Sequence, residues 1–254
     1  MTTGCSLPAA LGPRTLEEAM PRVFIGYDPR ESVAVTVLTE SIQARATVPV
    51  QVTQIRQEQL VGHYRRPPHP LQSTAFSFSR FLVPWLSGYR GWSLFLDADM
   101  LCLADLAELW SLRDGRHAVQ VVKHDHTCEA GRKFQGMPQT PYARKNWSSV
   151  MLFNNARCRA LTPERVNTAT GLELHQFQWL EDGAIGALPP EWNVLVGVQA
   201  MPEHPKVLHY TLGGPWFADC QDMPEAGRWL RERAAVISRA HNPQTQRHNV
   251  FVLS

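Results

Sequence analysis

The stretch Ser93-Leu94-Phe95-Leu96-Asp97-Ala98-Asp99-Met100 decides how this chain is read. A short, continuous apolar run without polar alternation belongs to a strand covered on both faces of a sheet, and such strands are at home in α/β folds. Here the strand opens directly onto two carboxylates separated by one residue. Two negative charges at a buried strand end repel each other and push a proton onto one of them, unless a cation sits between them. The pair is therefore a candidate site for a hard divalent cation that keeps positions free for phosphate oxygens. The plain alternative is a loop aspartate that caps the helix expected at 105–112 beside a solvated neighbour.

Working outward, strand and helix patterns alternate on both sides. Upstream, Val23 to Asp28 is an apolar run ending in a turn, and Ala34, Leu38 and Ile42 follow at helical spacing. Val50 to Ile55 reads as a second strand. The proline-rich Arg65-Arg66-Pro67-Pro68-His69-Pro70 excludes helix, and Ser73 or Thr74 is placed to cap a helix running through about Leu82, with Pro84 near its end. Downstream, Ala118 to Lys123, Ser149 to Phe153 and Val207 to Tyr210 read as strands. Thr162-Pro163-Glu164 starts a helix with a cap and a first-turn proline. A terminal helix from Pro224 to Ala240 puts Leu230, Ala234 and Ile237 on its apolar face and arginines 228, 231, 233 and 239 elsewhere. The expectation is an α/β fold with a mostly parallel central sheet, preceded by a flexible leader over residues 1–20. In such sheets ligands bind beyond the carboxyl ends of the strands, where Asp28, the Asp97/Asp99 pair and His209 all lie.

Composition narrows the partners. The chain has 254 residues and a formal net charge of +2, with lysines and arginines scattered among acids, which argues against a nucleic-acid binder. No apolar run reaches the length of a membrane span, so a cytoplasmic protein with at most peripheral membrane contact through its terminal helix is expected. Five cysteines, odd in number and without a Cys-x-x-Cys pair, point to neither a disulfide framework nor a zinc ribbon. His209 ends an apolar strand and is followed by Gly213-Gly214-Pro215-Trp216, which suits a nitrogen ligand joined to an anion-binding turn. On its own a strand histidine is more often a hydrogen-bonded core residue.

Taken together these residues resemble glycosyltransferase family 8, the retaining GT-A enzymes related to glycogenin and bacterial lipopolysaccharide galactosyltransferases. The Asp97-Ala98-Asp99 strand end followed by Leu106-Ala107-Glu108-Leu109-Trp110 is similar to the family's metal-binding strand and next helix. Four further segments match in order: Val23 to Asp28, Phe78-Ser79-Arg80-Phe81-Leu82, Ser148 to Asn154, and Glu181-Asp182. The likeness runs over roughly residues 22–217. It implies a single GT-A type domain over 21–254, with a nucleotide-binding part at about 21–125 and an acceptor-side part at about 126–254.

The resemblance implies that Asp97, Asp99 and His209 hold Mn2+, or Mg2+, between the phosphates of a UDP-sugar. Gly26, Tyr27 and Asp28 would lie by the uracil or ribose, and Arg80 would neutralise phosphate or orient the donor. Ala98, Ser148, Gly213, Gly214 and Trp216 would also face the nucleotide sugar. Asp182, with Glu181, would face the reacting sugar or the acceptor hydroxyl, that of a glycan, a lipid-linked saccharide or a small molecule. Retention implies a front-face route in which the departing phosphate takes the acceptor proton.

Two departures stand out. The family lysine before the Pro-Trp pair is missing ahead of Pro215, which leaves Gly213 and Gly214 amides, Lys145 or Arg80 to stand in; and Trp147-Ser148-Ser149 replaces the usual Asn-Ser/Ala-Gly, which bears on the donor sugar. Lys123-His124-Asp125-His126-Thr127-Cys128 reads as a solvated loop near the acceptor groove, since neighbouring strand residues point to opposite faces. Of the eight tryptophans, Trp147 and Trp216 adjoin the matched motifs and are placed by the ligand. Two competing readings are a haloacid dehalogenase-type phosphatase using Asp97 and Asp99, and a non-catalytic sugar-nucleotide or glycan binder. Against the first, a strand and helix precede the motif and Leu101 stands where a threonine is usual; against the second, the metal triad is intact.

Overall fold

The computed structural model describes residues 20–67, 72–125, 131–132, 138–139 and 143–241. The expected leader, Met20 apart, lies outside them, as do His126, Thr127 and Cys128 of the histidine-rich loop. In chain order the strands are β1 (Arg22–Gly26), β2 (Gln51–Ile55), β3 (Trp92–Leu96), β4 (Met100–Cys102), β5 (Val119–Val121), β6 (Gly131–Arg132), β7 (Pro138–Gln139), β8 (Val150–Asn154), β9 (Ile185–Ala187), β10 (Val194–Leu195) and β11 (Val207–His209). The helices are α1 (Ser32–Arg45), α2 (Val83–Leu86), α3 (Leu106–Ser111), α4 (Pro163–Thr168), α5 (Gly171–His175) and α6 (Ala226–His241), with short 3-10 turns between.

The main sheet has the order β2-β1-β3-β8-β5-β9. Five of its strands run the same way and β8 runs against its neighbours β3 and β5, so the sheet is mixed and mostly parallel. The reversed strand matters for the site. Because β8 is antiparallel to β3, its beginning lies beside the carboxyl end of β3: Leu96 pairs with Val150, and the Asp97 amide donates to the Ser149 carbonyl at 3.1 Å. A second sheet, β10-β11-β4, does the same for histidine. There His209 pairs with Met100 in antiparallel register, and the Tyr210 amide donates to the Asp99 carbonyl at 2.8 Å.

Burial follows the apolar runs. Val23, Ile25, Leu94, Phe95, Leu96, Met151, Leu152 and Phe153 are closed to solvent, and α1 covers the sheet with Ala34, Val35, Leu38 and Ile42. A smaller cluster under the second sheet joins Val37, Leu101, Val194, Leu208, Tyr210 and Trp229. No helix among the described residues is long and apolar enough to cross a membrane.

Two helical readings are corrected. The segment from Ser73 forms turns, a 3-10 helix occupies Ser79–Leu82, and α2 continues past it to Leu86. Pro84 therefore stands in the first turn of α2 rather than at a helix end, a position where its missing N–H costs nothing. In α6, Trp229 is fully buried, whereas Ala234 and Ile237 face solvent. The indole is much the largest apolar group on the helix, and its burial sets the rotation.

Candidate active site

Three side chains converge where β3 ends and β11 ends. One ligand atom each from Asp97, Asp99 and His209 lies within 4.8 Å of the others. His209 Nε2 is 3.3 Å from Asp99 Oδ1 and 4.0 Å from Asp97 Oδ2. Asp97 is divided between two tasks: its Oδ1 pairs with Arg80 Nη1 at 2.7 Å, while Oδ2 faces the histidine. Arg80 is itself buried, donates from Nη1 to the Ser148 carbonyl at 2.9 Å, and lies 5.1 and 5.2 Å from the ring centres of Phe76 and Phe95. Ala98 between the two acids is also closed to solvent.

The electrostatics agree with a site short of positive charge. Burial pushes the Asp97 carboxyl up to about 6, with Asp99 adding to the rise and Arg80 and His209 opposing it. Glu31, unremarked in the sequence, joins them. It follows β1 by one 3-10 turn, is 7% exposed, and its carboxyl is pushed up to about 9 by burial and by the charges of Asp99, Asp28 and Asp97. In sequence it looks like an ordinary acid just ahead of α1, and no signal there separates it from one.

Asp28 has a structural commitment. Its carboxylate accepts from the Arg30 amide at 2.9 Å and from Arg30 Nε and Nη2 at 3.0 and 2.7 Å, and Oδ2 also takes the Ala75 amide at 2.9 Å. Burial alone raises its pKa, and these hydrogen bonds more than reverse the effect, leaving the carboxyl below its ordinary value. Asp28 thus ties the 72–78 segment to the end of β1. Gly26 serves the same join: a Cβ there would sit 2.3 Å from the Phe76 ring. Tyr27, next along, stacks under Arg56 at 3.7 Å, where β1 and β2 both end.

The remaining expected residues are spread around this centre. Ser148 gives its carbonyl to Arg80, and its Oγ lies 2.7 Å from His175 Nδ1, a second polar neighbour the sequence did not single out. The Gly213 amide donates to the Tyr210 carbonyl at 2.9 Å, closing a turn. Gly214 makes room for Trp216, whose ring would meet an added Cβ at 2.1 Å. Trp216 packs on Trp229 and Tyr210 at 5.2 and 6.0 Å, within the smaller core. Trp147 is half-buried, donates its Nε1 to the His124 carbonyl at 3.0 Å, and lies 5.6 and 5.4 Å from Lys123 and Arg144. Asp182 and Glu181 are exposed; Asp182 is held by Arg144 Nη2 at 2.6 Å. Lys145, buried, lies between two residues in the left-handed region, Arg144 (φ 63°) and Asn146 (φ 64°).

The donor set fits a divalent cation. Two carboxylates and an imidazole nitrogen offer hard oxygens and one borderline nitrogen, and the rise of Asp97, set first by burial and then by Asp99 against the pull of Arg80, shows that the pocket disfavours a second bare carboxylate.

The fold is that of GT-A glycosyltransferases. WbbM, a bifunctional glycosyltransferase, superposes with a TM-score of 0.61 at 18% identity over 91% of this chain, which spans about half (53%) of WbbM. The galactosyltransferase LgtC, solved with donor and acceptor sugar analogues, gives 0.55 at 13% identity, covering 84% of this chain and 95% of LgtC. GlyE of Streptococcus pneumoniae TIGR4 gives 0.56 at 14%, over 89% of this chain and 64% of GlyE. Within that class the sequence places the chain more narrowly: residues 29–220 match the profile of Glycosyl transferase family 8, and the chain belongs to that family. Protein CDI of Arabidopsis thaliana is 48% identical over 220 residues, spanning 83% of this chain and 85% of the relative.

Proposed function

We propose that this chain is a metal-dependent, retaining hexosyltransferase that moves a sugar from a UDP-sugar to a hydroxyl of a glycan, a lipid-linked saccharide or a small molecule. The observation that carries the reading is the convergence of Asp97, Asp99 and His209 at the joint of two sheets. Mn2+, when bound there, would act as a Lewis acid on the diphosphate leaving group.

The chain's own groups then divide the work. Breaking the bond to the anomeric carbon builds negative charge on the leaving oxygens and oxocarbenium character on the sugar. Arg80 holds Asp97 Oδ1, so that Oδ2 stays turned toward His209. In place of the absent family lysine, the Gly213 and Gly214 amides, Lys145 or Arg80 would meet the diphosphate. Tyr27, with Arg56 stacked on it, offers a platform for the base, while Gly26 and Asp28 hold the backbone beneath it. Asp182, steadied by Arg144, positions the acceptor hydroxyl on the face the diphosphate leaves. The nucleotide side falls in about residues 21–125 and the acceptor side in about 126–254.

The test is to incubate the protein with Mn2+ and a panel of nucleotide sugars and to measure nucleoside diphosphate release. Slow hydrolysis of a UDP-sugar, abolished by Asp99→Asn, is the expected result. Absence of any nucleotide-sugar binding by calorimetry in the presence of Mn2+ defeats the proposal.

A further inference from the structure

His209 is supported from behind by a residue outside the expected site. Asn193, fully buried just before β10, places its Oδ1 3.0 Å from His209 Nδ1. Which way its amide faces is settled by its other partners. Asn193 Nδ2 lies 3.3 Å from the Asn146 carbonyl oxygen, an atom that only accepts. It also lies 2.8 Å from Ser149 Oγ, whose own hydroxyl donates to that same carbonyl at 2.5 Å. Both contacts require the NH2 on that side and leave the acceptor oxygen toward the imidazole. His209 Nδ1 must then carry a proton, which leaves Nε2 as the ring atom turned toward Asp99 Oδ1 and Asp97 Oδ2.

The same amide reaches the other arm of the site. Ser149, which accepts from Asn193, offers its carbonyl to the Asp97 amide at 3.1 Å. One side chain therefore links the end of β11 to the end of β3 through a buried, hydrogen-bonded path, and Asn193, Ser149 and His209 are each at most 2% exposed.

We propose that Asn193 is a positioning residue that locks His209 in its Nδ1–H form and, through Ser149, holds Nε2 in register with Asp97 and Asp99, so that the site is prepared for a cation. The inference rests on the metal reading above. Hydrogen-bond partners behind a ligating histidine fix its tautomer, and their loss typically weakens metal binding 10–100-fold.

The test has two independent arms. In the metal-free wild-type protein, nitrogen NMR of the imidazole should show a proton on His209 Nδ1; an unprotonated Nδ1 overturns the proposal without any variant. Mn2+ affinity, read by electron paramagnetic resonance of free Mn2+, should fall about 10–100-fold in Asn193→Ala, and in the same variant the His209 proton should no longer be held on Nδ1. Equal affinity in Asn193→Ala and wild type, or an Nδ1 proton held in the variant as firmly as in wild type, overturns it. Wild-type protein that binds no Mn2+ instead removes the metal reading, and the tautomer signal still decides the hydrogen-bond inference.

Discussion

The two sides of the proposed site are built in opposite ways. On the metal side, Asp97, His209, Arg80, Asn193 and Ser149 are buried, and every one is held by a partner from another strand or turn. On the acceptor side, the Asp182 side chain is 81% exposed and, among the described residues, pairs with Arg144. A buried network is rigid because any misplaced polar group loses its partners to no water. An exposed pair keeps its freedom and contributes little to stability. The contrast fits a division in which the leaving group meets fixed geometry while the acceptor meets adaptable surface.

The most severe way to break the metal side is to remove one of its acids. Asp99→Asn should lower Mn2+-dependent UDP release by at least 10²-fold to 10³-fold, the scale seen when one stabilising group for developing charge is lost. Activity that survives this change would show that the buried acids have no part in the reaction. Arg80→Met comes next, and it strikes the fold as well. Deleting one partner of a buried ion pair leaves the other uncompensated, a loss of about 3–5 kcal/mol. Asp97 takes up a proton in part to relieve it, so denaturant unfolding should place the cost toward the lower end. A change below about 1 kcal/mol would mean that Arg80 does not neutralise Asp97.

How much of this was legible depends on which link carried the information. The Leu94-Phe95-Leu96 run and its two acids declared both a covered strand and a charged end, because local pattern and chemistry coincide there. His209 was readable for the same reason. Asn193 was not, since it precedes a two-residue strand and its role exists only once β10 lies beside β11. Glu31 was hidden by a helix-start pattern that accommodates any acid. The reversal of β8, which brings Ser149 to Asp97, is likewise a matter of sheet order and not of sequence period. The face of α6 was misjudged because regular Leu-Ala-Ile spacing counted for more than the size of Trp229.

The buried acids also predict a pH dependence that the exposed pair does not share. Burial pushes the Asp97 carboxyl up to about 6 and that of Glu31 up to about 9, both above the ordinary carboxylate range. A group raised in the folded state stabilises the fold fully below its unfolded pKa, and that contribution is lost as pH rises through the folded value. The melting temperature of the metal-free protein should therefore decline between about pH 4 and pH 9. Glu31→Gln should flatten the upper part of that decline and melt higher than wild type at pH 9, by on the order of 2–4 °C for each kcal/mol recovered. Saturating Mn2+ should flatten it too, by supplying the missing charge. A wild-type curve already level between pH 6 and pH 9 would remove Glu31 from the cluster.

The smallest expected effect on stability sharpens the comparison most. Asp182→Asn discards the Arg144 pair, yet the exposed carboxylate has little solvation to regain, so unfolding free energy should move by no more than about 0.5 kcal/mol. Its kinetic effect should be selective. If Asp182 addresses the acceptor hydroxyl alone, donor hydrolysis in water continues at its wild-type rate while transfer to an acceptor falls. If both reactions fall together, Asp182 belongs with the buried groups around the diphosphate despite its exposure. The separation of the two sides would then be one of packing only, since rigid and adaptable surfaces would be serving the same bond.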